Sequence, residues 1–241
     1  MKSILKYCID SQKIKFVQNI FNKINYQAMA SIADLRKEYQ FQSLSENDVA
    51  VTPIHQFEKW WNEAVLAQIL EVNAMTLATS SADGIPSARI VLLKGFSEKG
   101  FTFFTNYNSF KGQQLAENPR ACLVFLWKEL ERQVRITGVV EKVSEAESDE
   151  YFNSRPPGSR IGAWASPQSK VIKDRAWLET EEHHFQEQFI GKDIARPHSW
   201  GGYIVKPICI EFWQGRPSRL HDRIQYMLLG NGDWKLERLA P

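Results

Sequence analysis

The amino-acid sequence predicts a mainly β (α+β) protein, an antiparallel barrel with flanking helices. From residue 74 onward the chain contains about seven short apolar or alternating segments that have the period of β-strands and are separated by turn residues. Only a few segments carry the period of an α-helix, which favours a closed or partly closed antiparallel barrel. A chain of 241 residues, 43% of them hydrophobic, can bury the core that such a barrel needs.

Composition argues against several classes of protein. The formal net charge is +2, so the chain as a whole has no field that would draw it to nucleic acid or to an anionic membrane. The longest apolar run, residues 121–127, is too short to span a bilayer, and Lys6 and Asp10 interrupt the apolar stretch at the N-terminus. The three cysteines and five histidines show no metal-ligand spacing. We therefore expect a cytoplasmic protein without a metal, nucleic-acid or membrane partner.

The chain divides near residue 52. Residues 1–51 are polar and weakly periodic, which favours a flexible N-terminal arm with one short helix around residues 32–39. The domain proper, residues 52–241, begins at Thr52 and Pro53, a suitable N-cap and first-turn pair. The helix that follows carries apolar residues at helical spacing, namely Phe57, Trp61, Val65 and Ile69.

Strands and short helices then alternate with turn signals. Residues 74–106 are typical of a three-strand meander with turns at ADG and SEKG. Ser109 is a suitable cap for a short helix that ends before Pro119, and the strands ACLVFLW and QVRITGVVEKV follow. Ser144 caps a further helix, and another covers roughly residues 170–190. The chain ends with the strand YIVKPICIEFWQG, a basic segment, and a hairpin that turns at GNGD.

The basic segment, residues 215–223, holds three arginines, a histidine and an aspartate between two strand-like runs. If the chain is extended there, Arg219, His221 and Arg223 point to the same face. One interpretation is a solvated edge strand whose charges discourage aggregation. The other is a concave site for an anionic ligand. The spacing alone leaves both open.

No motif for a nucleotide-binding or acyl-transfer enzyme accompanies these cations. The sequence has no GxGxxG between a strand and a helix, no P-loop and no GxSxG. Phosphate recognition would therefore depend on arginine, lysine, hydroxyl groups and helix N-termini. Strict alternation places Arg89 and Lys94 on opposite faces of a strand, so a shared role would need a bulge or a subunit interface. Other candidates are Lys111 beside Ser109, Gln133 with Arg135, and Arg155 and Ser159 around a Pro-Pro turn.

Residues 210–223, IEFWQGRPSRLHDR, resemble the C-terminal signature of the pyridoxine (pyridoxamine) 5′-phosphate oxidase family. The resemblance continues in the family's order through RIVLLK, FFTN, LERQV, YFNSRP, IGAWASPQS and SWGG, and covers roughly residues 32–241. It implies an FMN-binding split barrel of Greek-key-like topology, a homodimer, and FMN bound in clefts between the subunits. It also implies that O₂ oxidises pyridoxine 5′-phosphate or pyridoxamine 5′-phosphate to pyridoxal 5′-phosphate in the last step of vitamin B6 cofactor synthesis. H₂O₂ is released, together with NH₃ from the amine.

The resemblance assigns roles to residues by motif. It implies that Arg219 and His221 are catalytic and lie over the pyridine ring, and it leaves open whether His221 accepts a proton. The implied substrate residues are Arg36 and Tyr39, as a lid, with Lys94, Tyr151, Arg155, Ser159, Arg219 and His221. The implied cofactor residues are Arg89, Ile90, Val91, Leu92, Leu93, Lys94, Phe104, Thr105, Lys111, Gln133, Gln168, Ser169, Trp213 and Arg223. Among these, the flavin phosphate is expected to meet Arg89, Lys111 and Ser169.

Of the positions that depart from the family pattern, two concern expected contacts of the cofactor. Phe104 stands where many members have tyrosine, so a hydroxyl contact is lost. Phe110 stands where an arginine commonly precedes the lysine of the short helix, so one phosphate contact is unaccounted for.

Two other functions are weighed against the oxidase. A flavin reductase or flavin carrier would share the barrel, but it has no use for the second phosphate set implied by Tyr151, Arg155 and Ser159. A nucleic-acid-binding β-barrel would use exposed aromatics and arginines, but the nearly balanced charge counts against it.

Overall fold

The computed structural model describes residues 38, 39 and 42–241, which contain one nine-stranded antiparallel sheet with helices around it. Arg36 and most of the predicted helix around residues 32–39 lie outside the described residues. The strands are β1 (Ala74–Ser80), β2 (Pro86–Leu92), β3 (Gly95–Ser97), β4 (Gly100–Asn106), β5 (Arg120–Trp127), β6 (Arg132–Lys142), β7 (Trp200–Gln214), β8 (Asp222–Leu228) and β9 (Trp234–Arg238). The α-helices are α1 (Pro53–Leu66), α2 (Phe110–Glu117), α3 (Glu145–Ser154), α4 (Pro157–Ala165) and α5 (Arg175–Gln188).

The sheet is organised around β7, which changes its partner along its length. Seven strands follow the order β2-β1-β5-β6-β7-β4-β3, while β8 pairs with β7 and β9 pairs with β8. Residues 200–205 of β7 pair with β4, whereas residues 209–214 pair with β8. The opposite edge of β7 pairs with β6. Because two different strands share one edge of β7, the sheet divides there and curls into a half-barrel, which confirms the predicted mainly β architecture.

A β-bulge lies where β7 changes its partner. Thr137 pairs with Cys209 but Gly138 pairs with Pro207, so the register shifts by one residue between them. A Cβ on Gly138 would overlap the backbone carbonyl of Lys206. Pro207 has no N–H to give to a strand ladder, and proline in a sheet is confined to edges and bulges. The close approach of the two backbones therefore requires glycine at residue 138.

Aromatic rings on α1 and the sheet form the centre of the core. The helix begins after Thr52, whose hydroxyl accepts a hydrogen bond from the backbone N–H of His55. Phe57 is fully buried, and its ring centroid lies 4.9 Å from those of Phe96 and Phe101 in edge-to-face geometry. This geometry brings the positive edge of one ring to the negative face of the other. Helix α1 therefore packs its apolar side into the curled sheet.

The described residues before α1 pack against the C-terminal hairpin. Leu44 is buried, and its N–H donates to the Asp222 carboxylate at 3.0 Å. The guanidinium of Arg238 donates to both carboxylate oxygens of Glu46 at 2.8 Å and to Asp222 at 2.9 Å. The role of residues 1–51 as an arm that contributes to a lid stays a prediction, because most of them lie outside the described part of the chain.

Two elements differ from the sequence-based prediction, and two caps agree with it. Residues 74–106 form two separate hairpins rather than a three-strand meander, because β2 pairs with β1 while β3 pairs with β4. Residues 157–165 form α4 where only a turn was expected, since Pro157 occupies a first helical position that needs no N–H. The predicted caps Ser109 and Ser144 are confirmed, and each accepts a backbone hydrogen bond from its helix.

We expect Gly138→Ala to destabilise the fold by about 2 kcal/mol, because the added methyl group forces β6 and β7 apart at the bulge. Gly162→Ala is the matched control. It lies inside α4, and a Cβ there would meet nothing within 4 Å. That change should raise the free energy of unfolding by about 0.5–1 kcal/mol, because alanine has the higher helix propensity and makes the unfolded chain less flexible. Urea unfolding followed by tryptophan fluorescence measures both, and equal midpoints for the two variants would contradict the prediction.

Candidate active site

A cavity of about 870 Å³ lies between the ends of β2 and β4, the starts of α2 and α4, and the loop after α4. It contains both charged and apolar side chains. Its lining residues are Arg89, Ile90, Val91, Leu92, Lys94, Phe104, Thr105, Asn106, Phe110, Lys111, Tyr151, Arg155, Pro156, Ser159, Gln168, Ser169 and Trp200.

Lys111, in the first turn of α2, contributes an ammonium group to this cavity. Its Nζ donates to Thr105 Oγ1 at 3.1 Å, to Ser109 Oγ at 3.3 Å and to Gln168 Oε1 at 3.1 Å. All three acceptors are neutral, and no carboxylate of the described residues forms an ion pair with this lysine. Burial, and secondarily the neighbouring Arg89, lower the pKa of Lys111 to about 8. The group is therefore a partly desolvated cation that an anionic ligand would stabilise.

Arg89 on β2 is the second cation at this end of the cavity. Its Nη1 donates to Thr79 Oγ1 at 2.6 Å and to the Leu77 carbonyl at 3.1 Å, and its Nη2 donates to Ser87 Oγ at 2.6 Å. Burial lowers the pKa of Arg89. Within the described chain its partners are again hydroxyl and carbonyl oxygens. Arg89 and Lys111 thus form a fixed cationic pair without a counter-ion, which is the arrangement that binds a phosphate group.

Arg155 and Lys94 form a second cationic pair in the same cavity. The Arg155 guanidinium follows the last turn of α3 and lies over the Trp200 ring, 4.6 Å from its centroid. The ammonium of Lys94 lies 5.9 Å from the centroid of the Tyr151 ring. One nitrogen of Arg155, Nη1, is buried and has no hydrogen-bond partner among the described residues. Buried donors are rarely left without an acceptor, so this nitrogen indicates the place of a ligand acceptor.

Strand β2 ends at Leu92, and this brings Arg89 and Lys94 into one cavity. Beyond the strand, Leu93 is buried in the core at 4% exposure, and the Lys94 N–H donates to the Thr102 carbonyl at 2.9 Å. Alternation therefore stops before Lys94, and neither a bulge within β2 nor a subunit interface is needed to unite the two cations. Leu93 does not line the cavity. Its assignment to the cofactor stays a prediction, and the cavity supports it less than it supports its neighbours.

The cavity brings together most of the candidate residues of residues 89–169, which lie far apart along the chain. It is also lined by residues that were not candidates. Among the additions, Asn106 and Trp200 are register partners on β4 and β7. That pairing joins residues far apart in sequence, so no local pattern could reveal it. Phe110 lies beside Lys111 and is half exposed. Pro156 follows Arg155 directly and belongs to the Pro-Pro pair that opens α4.

A second group of candidate residues forms a row across β6, β7 and β8. Gln133 pairs with Trp213, and Trp213 pairs with Arg223, so the three side chains project from the same face of the sheet. Arg223 Nε donates to Glu211 Oε1 at 2.8 Å, while Arg135 lies 3.2 Å from Glu211 Oε2. The buried Glu211 carboxylate therefore fixes Arg223 and compensates part of its charge.

Residues 215–223 make a turn rather than an extended strand. Pro217–Arg219 forms a 3₁₀ turn, and Ser218 and Arg219 have φ angles of 56° and 61°. Strand β8 begins only at Asp222. The extended conformation considered for this segment is therefore wrong, because the proline and the two left-handed residues reverse the chain.

His221 is held in one orientation beside two aromatic rings. The backbone N–H of Arg216 donates to His221 Nδ1 at 3.1 Å. The His221 ring lies 4.6 Å from that of Trp213 and 5.8 Å from that of Tyr39. Burial, and then the nearby Arg219, lower the pKa of His221. The ring is therefore neutral at neutral pH, with its proton on Nε2.

None of this second group lines the cavity. It comprises Tyr39, Gln133, Trp213, Arg219, His221 and Arg223. A single copy of the chain thus presents two separate sets of candidate residues.

Comparison with protein families gives two matches that together span most of the described chain. The family model described as pyridoxamine 5′-phosphate oxidase matches residues 61–189. A second model, described as the pyridoxine 5′-phosphate oxidase C-terminal dimerisation region, matches residues 200–241. The second match contains β7, β8 and β9 and the basic turn between β7 and β8.

Curated relatives share well over half of their residues with this chain. A pyridoxine/pyridoxamine 5′-phosphate oxidase from Nostoc punctiforme is 60% identical over 211 residues, which cover 88% of this chain and 99% of the relative. One from Cupriavidus necator is 59% identical over 213 residues, which cover 88% of this chain and all of the relative.

Two solved structures with the same fold differ in how similar their sequences are to this chain. PhzG from Burkholderia lata 383, solved with tetrahydrophenazine-1-carboxylic acid, is 30% identical with a TM-score of 0.78, and the match covers 83% of this chain and 99% of that one. An FMN-binding, pyridoxamine 5′-phosphate oxidase-related protein from Nostoc punctiforme is 17% identical with a TM-score of 0.63, and the match covers 80% and 100%. The latter shows the fold alone.

The described helices include none that is long and apolar enough to cross a membrane.

The split half-barrel, the cavity with its two cationic pairs, the two family matches and the identities of about 60% lead to one conclusion. The chain belongs to the pyridoxamine 5′-phosphate oxidase family of oxidoreductases.

Proposed function

We propose that this protein oxidises pyridoxine 5′-phosphate and pyridoxamine 5′-phosphate with O₂ to give pyridoxal 5′-phosphate. The alcohol and O₂ give the aldehyde and H₂O₂, while the amine, O₂ and water give the aldehyde, H₂O₂ and NH₃. The observation that carries the proposal is that one cavity holds two cationic pairs without carboxylate partners, Arg89 with Lys111 and Lys94 with Arg155. Two phosphorylated molecules, a cofactor and a substrate, are what such a pair of sites would accommodate.

The first cationic pair fits the phosphate of FMN. Lys111 and Arg89 supply charge, and Thr105, Gln168 and Ser169 supply polar groups around them. The same cavity is also lined by the apolar run Ile90, Val91 and Leu92 and by Phe104, and such side chains suit a flat aromatic ring system. The donor set therefore fits the phosphate of FMN. Phe110 adds no charge to this set, so Lys111 and Arg89 supply the positive charge.

The second cationic pair fits the phosphate of the substrate. Arg155 offers an unpartnered buried nitrogen, and Lys94 lies at the far end of the same run of chain as Arg89. Ser159, in the first turn of α4, and Tyr151, at the end of α3, add hydroxyl groups to the lining. Guanidinium and ammonium groups assisted by hydroxyls are the usual partners of a phosphate monoester.

A homodimer supplies the second group of residues. The match to a dimerisation region over residues 200–241 supports the dimer, and that region contains Trp213, Arg219, His221 and Arg223. These residues lie outside the cavity of their own chain, so we propose that they complete the cavity of the partner subunit. Gln133, in the same row as Trp213, joins them.

The chain's own residues would hold the substrate rather than react with it covalently. The chemistry supplied by bound FMN is acceptance of a hydride from substrate C4′ and its delivery as two electrons to O₂. Arg219 forms no ion pair with a carboxylate of the described chain and can stabilise negative charge on the substrate ring or its substituents. His221 accepts from the Arg216 N–H through Nδ1, so its free Nε2–H is a donor and orients the substrate. In this arrangement His221 is not a proton acceptor.

The proposed activity is tested by purifying the protein, loading it with FMN and supplying pyridoxine 5′-phosphate in air. We expect the visible absorption of bound flavin and the formation of aldehyde and H₂O₂ in equal amounts. A protein that binds flavin but only reduces it with a nicotinamide cofactor would be a flavin reductase. A protein that cannot be loaded with FMN would contradict the proposal altogether.

We expect FMN affinity to fall above pH 8. The ligand-free pKa of Lys111 is lowered to about 8, and the flavin phosphate favours its protonated form, so binding at higher pH must take up a proton. The dissociation constant at pH 9 should therefore be about tenfold that at pH 7, as expected for one coupled proton. Flavin fluorescence titration measures the constant. The control is Lys111→Met, which should bind FMN more weakly and with a flat profile, and an unchanged slope in that variant would exclude Lys111 as the cause.

We expect Arg219→Ala to lower kcat/KM for pyridoxine 5′-phosphate by about 10- to 100-fold, the usual effect of losing a hydrogen bond to a charged group. The FMN dissociation constant should stay within about twofold, since Arg219 faces the substrate in the proposed dimer. Steady-state kinetics and flavin titration give the two values. Arg219→Lys keeps the charge and should lose less activity. Loss of flavin from the alanine variant would show that this arginine serves the cofactor instead.

A further inference from the structure

Trp200 lies at the start of β7, where its ring forms part of the cavity wall beside Arg155. We infer that Trp200 is a positioning residue for the substrate phosphate, because its ring holds the Arg155 guanidinium, whereas carboxylates hold structural arginines such as Arg132 and Arg238. The inference rests on the proposed function, in which Arg155 binds that phosphate.

The contacts of Arg155 are aromatic. Its guanidinium carbon lies 4.6 Å from the Trp200 centroid and 5.6 Å from the Phe152 centroid. Both distances are within the range in which the negative face of a ring attracts a cation. No ion pair to Arg155 is formed within the described chain, and Nη1 is buried without an acceptor. Burial also lowers the pKa of Arg155, as expected for a cation without a counter-ion.

Arg132 shows the alternative arrangement within the same chain. Its guanidinium also lies over an indole, 4.4 Å from the Trp60 centroid. Its donors, however, are occupied by Glu63 at 2.5 Å, Gln214 at 2.9 Å and Gln42 at 2.5 Å. Each of the three guanidinium nitrogens of Arg132 therefore donates to a side chain of the fold, whereas Nη1 of Arg155 has no acceptor among the described residues.

The choice of partner decides what an arginine can do next. A carboxylate would occupy the coplanar N–H groups of Arg155 and cancel its charge, and a phosphate would then have to displace it. A ring face contacts the guanidinium from above its plane, so the in-plane donors and the positive charge stay available. Trp200 can thus fix Arg155 without weakening its attraction for an anion.

Trp200 is itself held firmly. Its ring stacks on Phe104 with centroids 5.6 Å apart and an interplanar angle of 13°, and it meets Phe152 edge-on at 5.2 Å. Its carbonyl accepts from Arg196 Nη1 at 2.7 Å, and Arg196 Nε donates to Asp149 on α3 at 2.6 Å. Helix α3 ends at Ser154, and Arg155 follows it directly as the C-cap. The cation–π contact joins the Trp200 ring to the Arg155 guanidinium, and Arg196 joins the Trp200 backbone to the helix that precedes Arg155.

The test measures binding of 4′-deoxypyridoxine 5′-phosphate, which carries the phosphate but has no group to oxidise, to the FMN-loaded protein by calorimetry. We expect Trp200→Leu to weaken this binding about tenfold and Trp200→Phe only two- to threefold, because the benzene face keeps part of the attraction. The KM for pyridoxine 5′-phosphate should rise in parallel while kcat changes less than about threefold. The FMN dissociation constant, measured by fluorescence, should stay within about twofold.

A double-mutant cycle and a matched variant separate positioning from general destabilisation. In the Arg155→Ala background, Trp200→Leu should change phosphate-ester binding by less than about twofold, because the two residues act as one unit. Trp60→Leu removes the other arginine-covered indole from a site outside the cavity. It should lower the free energy of unfolding without changing the binding of the phosphate ester.

The outcomes differ for the inference and for the proposed function. Equal binding by wild-type protein and Trp200→Leu would overturn the inference alone, as would additive effects in the cycle. If Trp200→Leu does not fold, Trp200→Phe decides, and an equal loss of FMN and of the phosphate ester in that variant would show a merely structural role. A wild-type protein that binds FMN but neither binds nor oxidises the phosphate ester would overturn the proposed function and the inference with it.

Discussion

Four cationic side chains face one cavity, and each is held by neutral groups. Hydroxyl and amide oxygens hold Lys111 and Arg89, and aromatic faces hold Arg155 and Lys94. Hydrogen bonds from neutral acceptors fix the geometry of a cation but leave its net charge in place. The cavity therefore carries positive charge that an anionic ligand would compensate, and this favours phosphorylated ligands over neutral ones.

The chain separates these cations from the arginines that it uses for structure. Arg132 pairs with Glu63, Arg223 with Glu211 and Arg238 with Glu46. The first and third pairs join distant segments of the described chain, and the second joins the neighbouring strands β7 and β8. The basic segment, residues 215–223, contains arginines of both kinds. Arg223 pairs with a carboxylate, whereas Arg219 forms no ion pair within the described chain. Partner chemistry thus distinguishes arginines that pair with carboxylates and join parts of the fold from arginines that line the cavity among neutral groups.

Local sequence signals predicted the elements well, and long-range pairing explains what they missed. Ser109 and Ser144 act over three residues, so the sequence alone identified both helix starts. The placement of Arg89 and Lys94 in one cavity depends on where β2 stops, which tertiary pairing decides. Trp200 reaches the cavity only because β7 pairs with β4, and no pattern around residue 200 reports that partner. The turn at residues 217–219 likewise requires positive φ angles at Ser218 and Arg219, and the local sequence does not specify them.

The arrangement that favours phosphate also has a cost for the ligand-free fold. Because the folded-state pKa of Lys111 is about 8, below the ordinary lysine value of 10.5, the unfolded chain binds more protons between these two values. The stability of the ligand-free protein therefore rises with pH across that window, and below pH 8 the whole cost of holding the charged ammonium is present. A bound phosphate group removes this cost by pairing with the ammonium. Lys111 therefore couples the stability of the fold to the occupation of the cavity. A buried charge that costs stability is expected at a site that is under selection for function.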